Sequence, residues 1–145
     1  MIYLGIDPGK KGALAIIYED GAHREVVFNP TDYLFELMSL SGKNVKCVLE
    51  HVHSMPGDSK TGAFSFGENF GFIKGLLTAF RIPYELVTPQ KWKKEFSVTS
   101  DKNTSIEVAQ RLFPGSDFRE TERCRKPHDG KCEALLMAEY ARRKL

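Results

Sequence analysis

The chain has 145 residues and a formal net charge of +2, enough for one domain with a single core and too few for a second full one. Its three cysteines, Cys47, Cys124 and Cys132, cannot all pair within one chain. With no signal peptide and no apolar run long enough to span a bilayer, they argue against a disulfide-stapled or membrane protein and make a reducing cytoplasm the expected compartment.

Ile2 to Ile6 and Ala13 to Tyr18 are short, β-rich apolar runs, and Pro8-Gly9 with Gly12 supplies turn chemistry between them, so two neighbouring strands are predicted. Asp7 ends the first. A carboxylate against apolar walls is costly unless a cation, a donor or a nearby lysine compensates it; the plainer reading is an Asp that caps the turn through its own backbone. Arg24 to Phe28 reads as a third strand, and Thr31-Asp32 as the cap of a short amphipathic helix through about Leu40, ended by Ser41-Gly42. Val45 to Glu50 is a buried strand that also finishes on a carboxylate.

His51 to Gly67, rich in Gly, Ser, His and Met, reads as a loop, followed by a helix from about Glu68 to Phe80. Gly67, Gly71 and Gly75 recur every four residues, which makes a smooth helix face for packing against the sheet or a second subunit rather than a ligand site. Pro83 starts a strand, Tyr84 to Val87, and Thr88-Pro89 turns the chain into the basic segment Gln90 to Glu95. Asp101 to Phe113 reads as a helix stopped by Pro114-Gly115, and Ser116 to Pro127 as a mobile charged loop. Asp129-Gly130 opens a last helix whose Ala134 to Ala138 stretch is apolar almost all round, so most of its surface must be buried. Three meander strands followed by strands alternating with helices predict an α/β protein with a mixed five-stranded sheet flanked by helices.

Asp129 and Glu133 are four residues apart and share a helical face. Acids in a first turn also suit the helix dipole, which is the plain explanation of the pair. If that buried helix brings them toward a sheet ending in Asp7 and Glu50, however, the four like charges need cations between them. Two Mg²⁺ or Mn²⁺ ions about 4 Å apart on carboxylate oxygens meet that need, and this is a phosphodiester-cleaving arrangement in which one ion activates water and the other stabilises the leaving 3′-oxygen. The charge distribution agrees with a polyanionic substrate: Lys91, Lys93, Lys94, Arg119, Arg123, Arg125, Lys126 and Lys131 all fall in the second half.

Gly5-Ile6-Asp7-Pro8-Gly9, Leu49-Glu50-His51-Val52, Val87-Thr88-Pro89 with Trp92-Lys93-Lys94, Asp101-Lys102, and Asp129-Gly130 with Glu133-Ala134-Leu135-Leu136 together resemble the RuvC family of Holliday-junction resolvases, most closely its short phage-type branch. The resemblance runs over nearly the whole chain. It implies an RNase H-like fold, a homodimer, and Mg²⁺-dependent endonucleolytic hydrolysis by paired nicks across four-way and other branched DNA, in the host cytoplasm if the chain is phage-encoded. It also implies that Asp7, Glu50 and Glu133 bind the metals. Bacterial members place the last two ligands three residues apart, and three before Glu133 stands Gly130, which has no side chain; Asp129 is therefore taken as the fourth ligand, with His128 in reserve.

Lys93 and Lys102 match positions where the family carries basic residues near the scissile phosphate, with Lys91 and Lys94 as further DNA contacts. Trp92, among these lysines, reads as a buried anchor rather than a platform for bases. Relatives carry an aromatic wedge three residues beyond the glutamate, where this chain has His53; Phe64 and Phe66 are candidates for that role, or else pack at the start of the following helix. Arg123 and Arg125, in the 119–126 stretch, are expected to meet DNA phosphates. Cys124, His128 and Cys132 are evenly spaced but lack the fourth ligand and paired spacing of a structural zinc site. No membrane and no small-molecule cofactor are expected.

Two other functions compete: an RNase H-like nuclease of RNA maturation, and a non-catalytic DNA-binding module of the same fold, against which the four acids argue. An actin-like ATPase, which needs two such domains to enclose ATP, does not fit 145 residues.

Overall fold

The computed structural model describes residues 1–53 and 55–145. β1 (Ile2–Asp7), β2 (Ala13–Ile17) and β3 (His23–Val27) form an antiparallel meander, while β4 (Val45–Glu50) and β5 (Tyr84–Val87) add in parallel on the other side of β1, giving the order β3-β2-β1-β4-β5. This is the mixed five-stranded sheet predicted. The third strand begins and ends one residue earlier than the sequence suggests.

Side-chain alternation divides the sheet between two cores. Leu4, Ile6, Leu14, Ile16, Cys47 and Leu49 face α1 (Pro30–Ser39) and α2 (Lys60–Ala79), where Tyr33, Leu37, Ile73 and Leu77 meet them. Ala13, Ala15, Ile17, Val48 and Val87 face the other way, toward α3 (Pro89–Glu95), α4 (Lys102–Leu112) and α5 (Asp129–Lys144). Both faces are covered, which is why the central strands are continuously apolar. The apolar stretch of α5 is buried as expected. It lies so close to β1 that a Cβ on Gly5 would come within 2.2 Å of the Ala134 carbonyl oxygen and 2.3 Å of the Ala138 nitrogen. Glycine at that position sets how near the helix approaches the sheet.

Several local expectations need correction. Asn29, not Thr31-Asp32, caps α1: its Oδ1 accepts the Asp32 N–H at 3.1 Å, and Pro30 behind it has the backbone angle a first helical residue needs. Helix α2 begins at Lys60, not near Glu68, so much of the expected loop, whose residue 54 lies outside the described residues, is helix. Ser59 caps it by accepting the Gly62 N–H at 2.9 Å. The glycines and serines suggest a loop, but Phe66, Phe70, Ile73 and Leu77 recur at helical spacing, and the packing of the last three against the first core, with Phe66 stacked on Phe70, outweighs the propensity cost. Gly67, Gly71 and Gly75 are all exposed with open space around them, so they do not pack on the sheet.

The basic segment after β5 is itself a helix, α3, capped by the Thr88 hydroxyl. The stretch predicted to be a mobile loop, Ser116 to Pro127, is fastened at several points. Phe118 is buried, its carbonyl accepts the His128 N–H at 2.6 Å, and Ser116 Oγ lies 3.0 Å from His23 Nε2 on the edge strand. Asp117 takes two hydrogen bonds from the Arg119 guanidinium, at 2.9 Å each, and Lys131 Nζ donates to the Arg119 carbonyl at 2.6 Å. Burying one aromatic while pairing the charges around it holds a polar segment in place. Among the described residues no helix is long and apolar enough to cross a membrane.

Candidate active site

β1, β4 and β5 run parallel, so their C-terminal ends share one edge of the sheet. Ile6 pairs with Leu49; the next residues, Asp7 and Glu50, therefore sit side by side and project toward α5. The N-terminus of α5 arrives at the same edge. Gly130 is the contact: a Cβ there would lie 2.6 Å from the Lys11 carbonyl oxygen in the β1–β2 turn. The space a side chain at residue 130 would need is thus filled by backbone of the turn that follows Asp7. One turn along, Glu133 is buried at 3% exposure and faces the two strand-end acids.

Asp129 sits at the mouth, its side chain 47% exposed. It is a first-turn acid but not the cap. His128 is the cap, with Nδ1 accepting the Lys131 N–H at 3.1 Å. The turn reading of Asp7 is also realised, because its Oδ1 accepts the Gly9 N–H at 3.2 Å. Both roles coexist on one carboxylate.

Burial and the charges of Glu50 and Glu133 push Asp7 up to about 7, against smaller opposing effects from the Gly9 N–H and Lys102. Burial likewise raises Glu50; the Trp92 hydrogen bond opposes it, Glu133 adds to it, and Lys93 and Lys102 reduce it. Lys102 reaches in from the start of α4, with Nζ 2.9 Å from Glu133 Oε1 and 3.6 Å from Asp129 Oδ2. Burial lowers its ammonium, but the Glu133 hydrogen bond and the charges of Glu133, Asp7 and Asp129 more than reverse that and leave it above the ordinary lysine range.

Trp92 is fully buried, as an anchor would be, and its indole N–H donates to Glu50 Oε2 at 2.7 Å. Sequence reasoning missed this second role. A tryptophan following a strand that neighbours an acid-terminated one was the available signal, but the bond exists only because α3 folds back over the end of β4. Lys93 lies beside the same pair, its Nζ 5.7 Å from the Trp92 ring centre.

The donor chemistry fits a hard divalent cation: all four side chains offer carboxylate oxygens, and burial leaves Asp7 and Glu50 short of compensating positive charge. Among the described residues, no three His, Cys, Asp or Glu side chains are placed so that they could hold a metal ion as they stand. Trp92 and Lys102 hold one oxygen each of Glu50 and Glu133. Of the evenly spaced Cys124, His128 and Cys132, the last points into the core, where burial pushes its thiol up to about 12, and Cys124 Sγ lies 3.4 Å from the Thr121 hydroxyl.

The candidate DNA contacts divide by location. Lys93 and Lys102 adjoin the acids, whereas Lys91 and Lys94 are exposed on α3 toward Glu85, Tyr140 and Lys144. His53 and Phe66 line one shallow cavity at the start of α2 with Val52 and Asp58. Phe64, one residue pair earlier on that helix, projects outward at 72% exposure. Arg123 and Arg125 are exposed on the fastened loop.

No family model and no curated protein matches the sequence. Solved structures do match. Thermus thermophilus RuvC in complex with a Holliday junction substrate superposes with a TM-score of 0.65 at 14% identity, over 99% of this chain and 97% of that one. A second Thermus thermophilus RuvC structure gives 0.57 at 16% identity, over 99% and 96%. At such identity the likeness is one of fold, and it runs from end to end: the chain has the RNase H-like fold of the RuvC structures.

Proposed function

We propose that the protein is a divalent-metal-dependent endonuclease that resolves four-way DNA junctions by paired nicks. The observation that carries this reading is the convergence of Asp7, Glu50 and Glu133, from β1, β4 and α5, in one largely buried site with Lys102 among them. A groove that only bound phosphates would gain nothing from buried negative charge. The end-to-end likeness to a RuvC structure holding junction DNA supports the substrate class.

In this reading Asp7, Glu50 and Glu133, with Asp129 at the mouth, would hold Mg²⁺ or Mn²⁺. Bound metal would supply an activated water and charge stabilisation for the leaving oxygen. Trp92 orients Glu50 through its N–H, in the way outer partners fix ligating carboxylates. Lys93 and Lys102 steady the charge on the phosphodiester. His53, Phe64 and Phe66, at the start of α2, meet the junction's branch point. Paired nicking calls for a second copy of the chain, and the exposed Leu34, Phe35 and Met38 of α1 with Phe72 of α2 offer an apolar face for it.

The test is a cleavage assay on four-way junctions, forks, duplex DNA and structured RNA in Mg²⁺ or Mn²⁺, beside Asp7→Asn, Glu50→Gln and Glu133→Gln. Wild type should cut four-way DNA in preference to the rest, and each variant should lose cleavage while keeping junction binding. Near wild-type cutting by Asp7→Asn would refute the metal mechanism. Preference for structured RNA would move the protein to RNA maturation.

A further inference from the structure

We propose that Lys102 is the resident counter-ion of the acidic site, that divalent cations must displace it, and that this displacement is what frees it to contact the phosphodiester. The proposal deepens the metal-dependent reading above and rests on it.

Lys102 Nζ lies in a fork formed by Glu133 Oε1 at 2.9 Å and Asp129 Oδ2 at 3.6 Å, the two acids of α5. Glu133 is only 3% exposed, and a buried carboxylate needs a partner. In this structure the partner is the ammonium. The lysine stem is nonetheless anchored at the rim: Lys102 is the first residue of α4, its side chain is 57% exposed, and Asp101 caps the helix through the Asn103 N–H rather than through any bond to the lysine. The ammonium can therefore swing out without disturbing α4.

Charge arithmetic gives the swing a direction. With all four acids ionised, four carboxylates face two ammonium groups, those of Lys93 and Lys102, so the site then keeps net negative charge. Two divalent cations would neutralise the acids by themselves and leave both lysines in surplus. An ammonium and a cation sharing the same carboxylate oxygens also repel each other. Lys102 then leaves Glu133 and Asp129 and presents its charge to the open side of the site, where a phosphodiester oxygen would lie. The same residue serves two anions in turn, and metal loading prepares the site for DNA.

The test measures Mn²⁺ binding to the full chain without DNA, at low ionic strength, from the electron paramagnetic resonance signal of the free ion. Lys102→Met should bind Mn²⁺ about tenfold tighter than wild type, within the usual range of coupling between sites. Lys43→Met, an exposed lysine before the opposite end of β4, should bind it as wild type does. In EDTA, Lys102→Met should melt below wild type, regain more on adding Mn²⁺, and hold a four-way junction no more weakly than Lys43→Met. Unchanged or weaker Mn²⁺ binding in Lys102→Met overturns the proposal while leaving the metal reading intact, as does a junction complex in EDTA weaker than that of Lys43→Met. Wild type binding Mn²⁺ no better than Asp7→Asn overturns both.

Discussion

Asp7 Oδ1 accepts the Gly9 N–H while the same carboxylate faces Glu50 and Glu133, and burial with those two charges lifts its pKa from 3.8 to about 7. A folded value above the unfolded one means that the folded state holds the proton longer. Without metal, the contribution of Asp7 to stability is therefore fullest below about pH 4 and falls as pH rises toward 7, where the folded carboxyl finally ionises against its neighbours. Urea unfolding in EDTA should show that decline. Asp7→Asn should flatten most of it and be more stable than wild type at pH 7.5 by about 1–3 kcal/mol, while losing cleavage. At Trp92 the exchange is different: Trp92→Phe keeps an aromatic ring in the core but removes the donor to Glu50. Its cleavage rate should fall about 10–100-fold with junction binding retained, as measured by single-turnover cleavage and gel shift. The acids could be picked out in the sequence because strand ends and helix spacing place them locally, whereas Lys102 came only from the family resemblance. The Trp92–Glu50 bond joins residues 42 apart in the chain, and nothing local foretells it.

Elements are joined at glycines. Gly5 lets α5 lie directly on β1, and Gly130 lets the start of α5 lie against the β1–β2 turn; together they carry Glu133 to Asp7. Gly5→Ala would drive a methyl group into backbone atoms of α5, which cannot rotate away as a side chain can. It should cost about 3 kcal/mol or more in urea unfolding, at the upper end of overpacking effects, and should weaken cleavage more than binding because it separates the acids. The strands and α4 could be read nearly residue for residue, since each is a short periodic run with its own stop signal. Helix α2 could not be read at its start: its glycines and serines speak for a loop, and only the packing of Phe70, Ile73 and Leu77 against the first core, with Phe66 stacked on Phe70, decides for a helix. Likewise the 116–127 segment is polar enough to look loose, but Phe118 and the His23–Ser116 contact anchor it to the sheet.

For the molecule as a whole, acids, Trp92, Lys93 and Lys102 gather at the C-terminal edge of the parallel strands, and the apolar surface of α1 lies on the other side of the sheet. A partner copy on that face would leave both sites open to DNA. If the chain pairs through that face as proposed, Phe35→Glu with Met38→Glu, both exposed positions, should shift wild type's dimer to monomer in sedimentation velocity and uncouple the paired nicks without removing single nicking; a monomeric wild type would refute the pairing. Lys93→Ala should weaken junction binding and lower the slope of log affinity against log salt by about 1, the loss of one phosphate contact. The sequence by itself determined the five strands in order and every helix but α3, and it put Asp7 and Glu50 at strand ends and Asp129 and Glu133 on one helical face, because period, caps and strand ends are properties of neighbouring residues. Only the tertiary structure decided that Trp92 holds Glu50, that Lys102 pairs with Glu133, and that a turn backbone fills the space beside Gly130. Those depend on how closely α3, α4 and α5 approach the sheet, a distance set by packing between segments far apart in the chain.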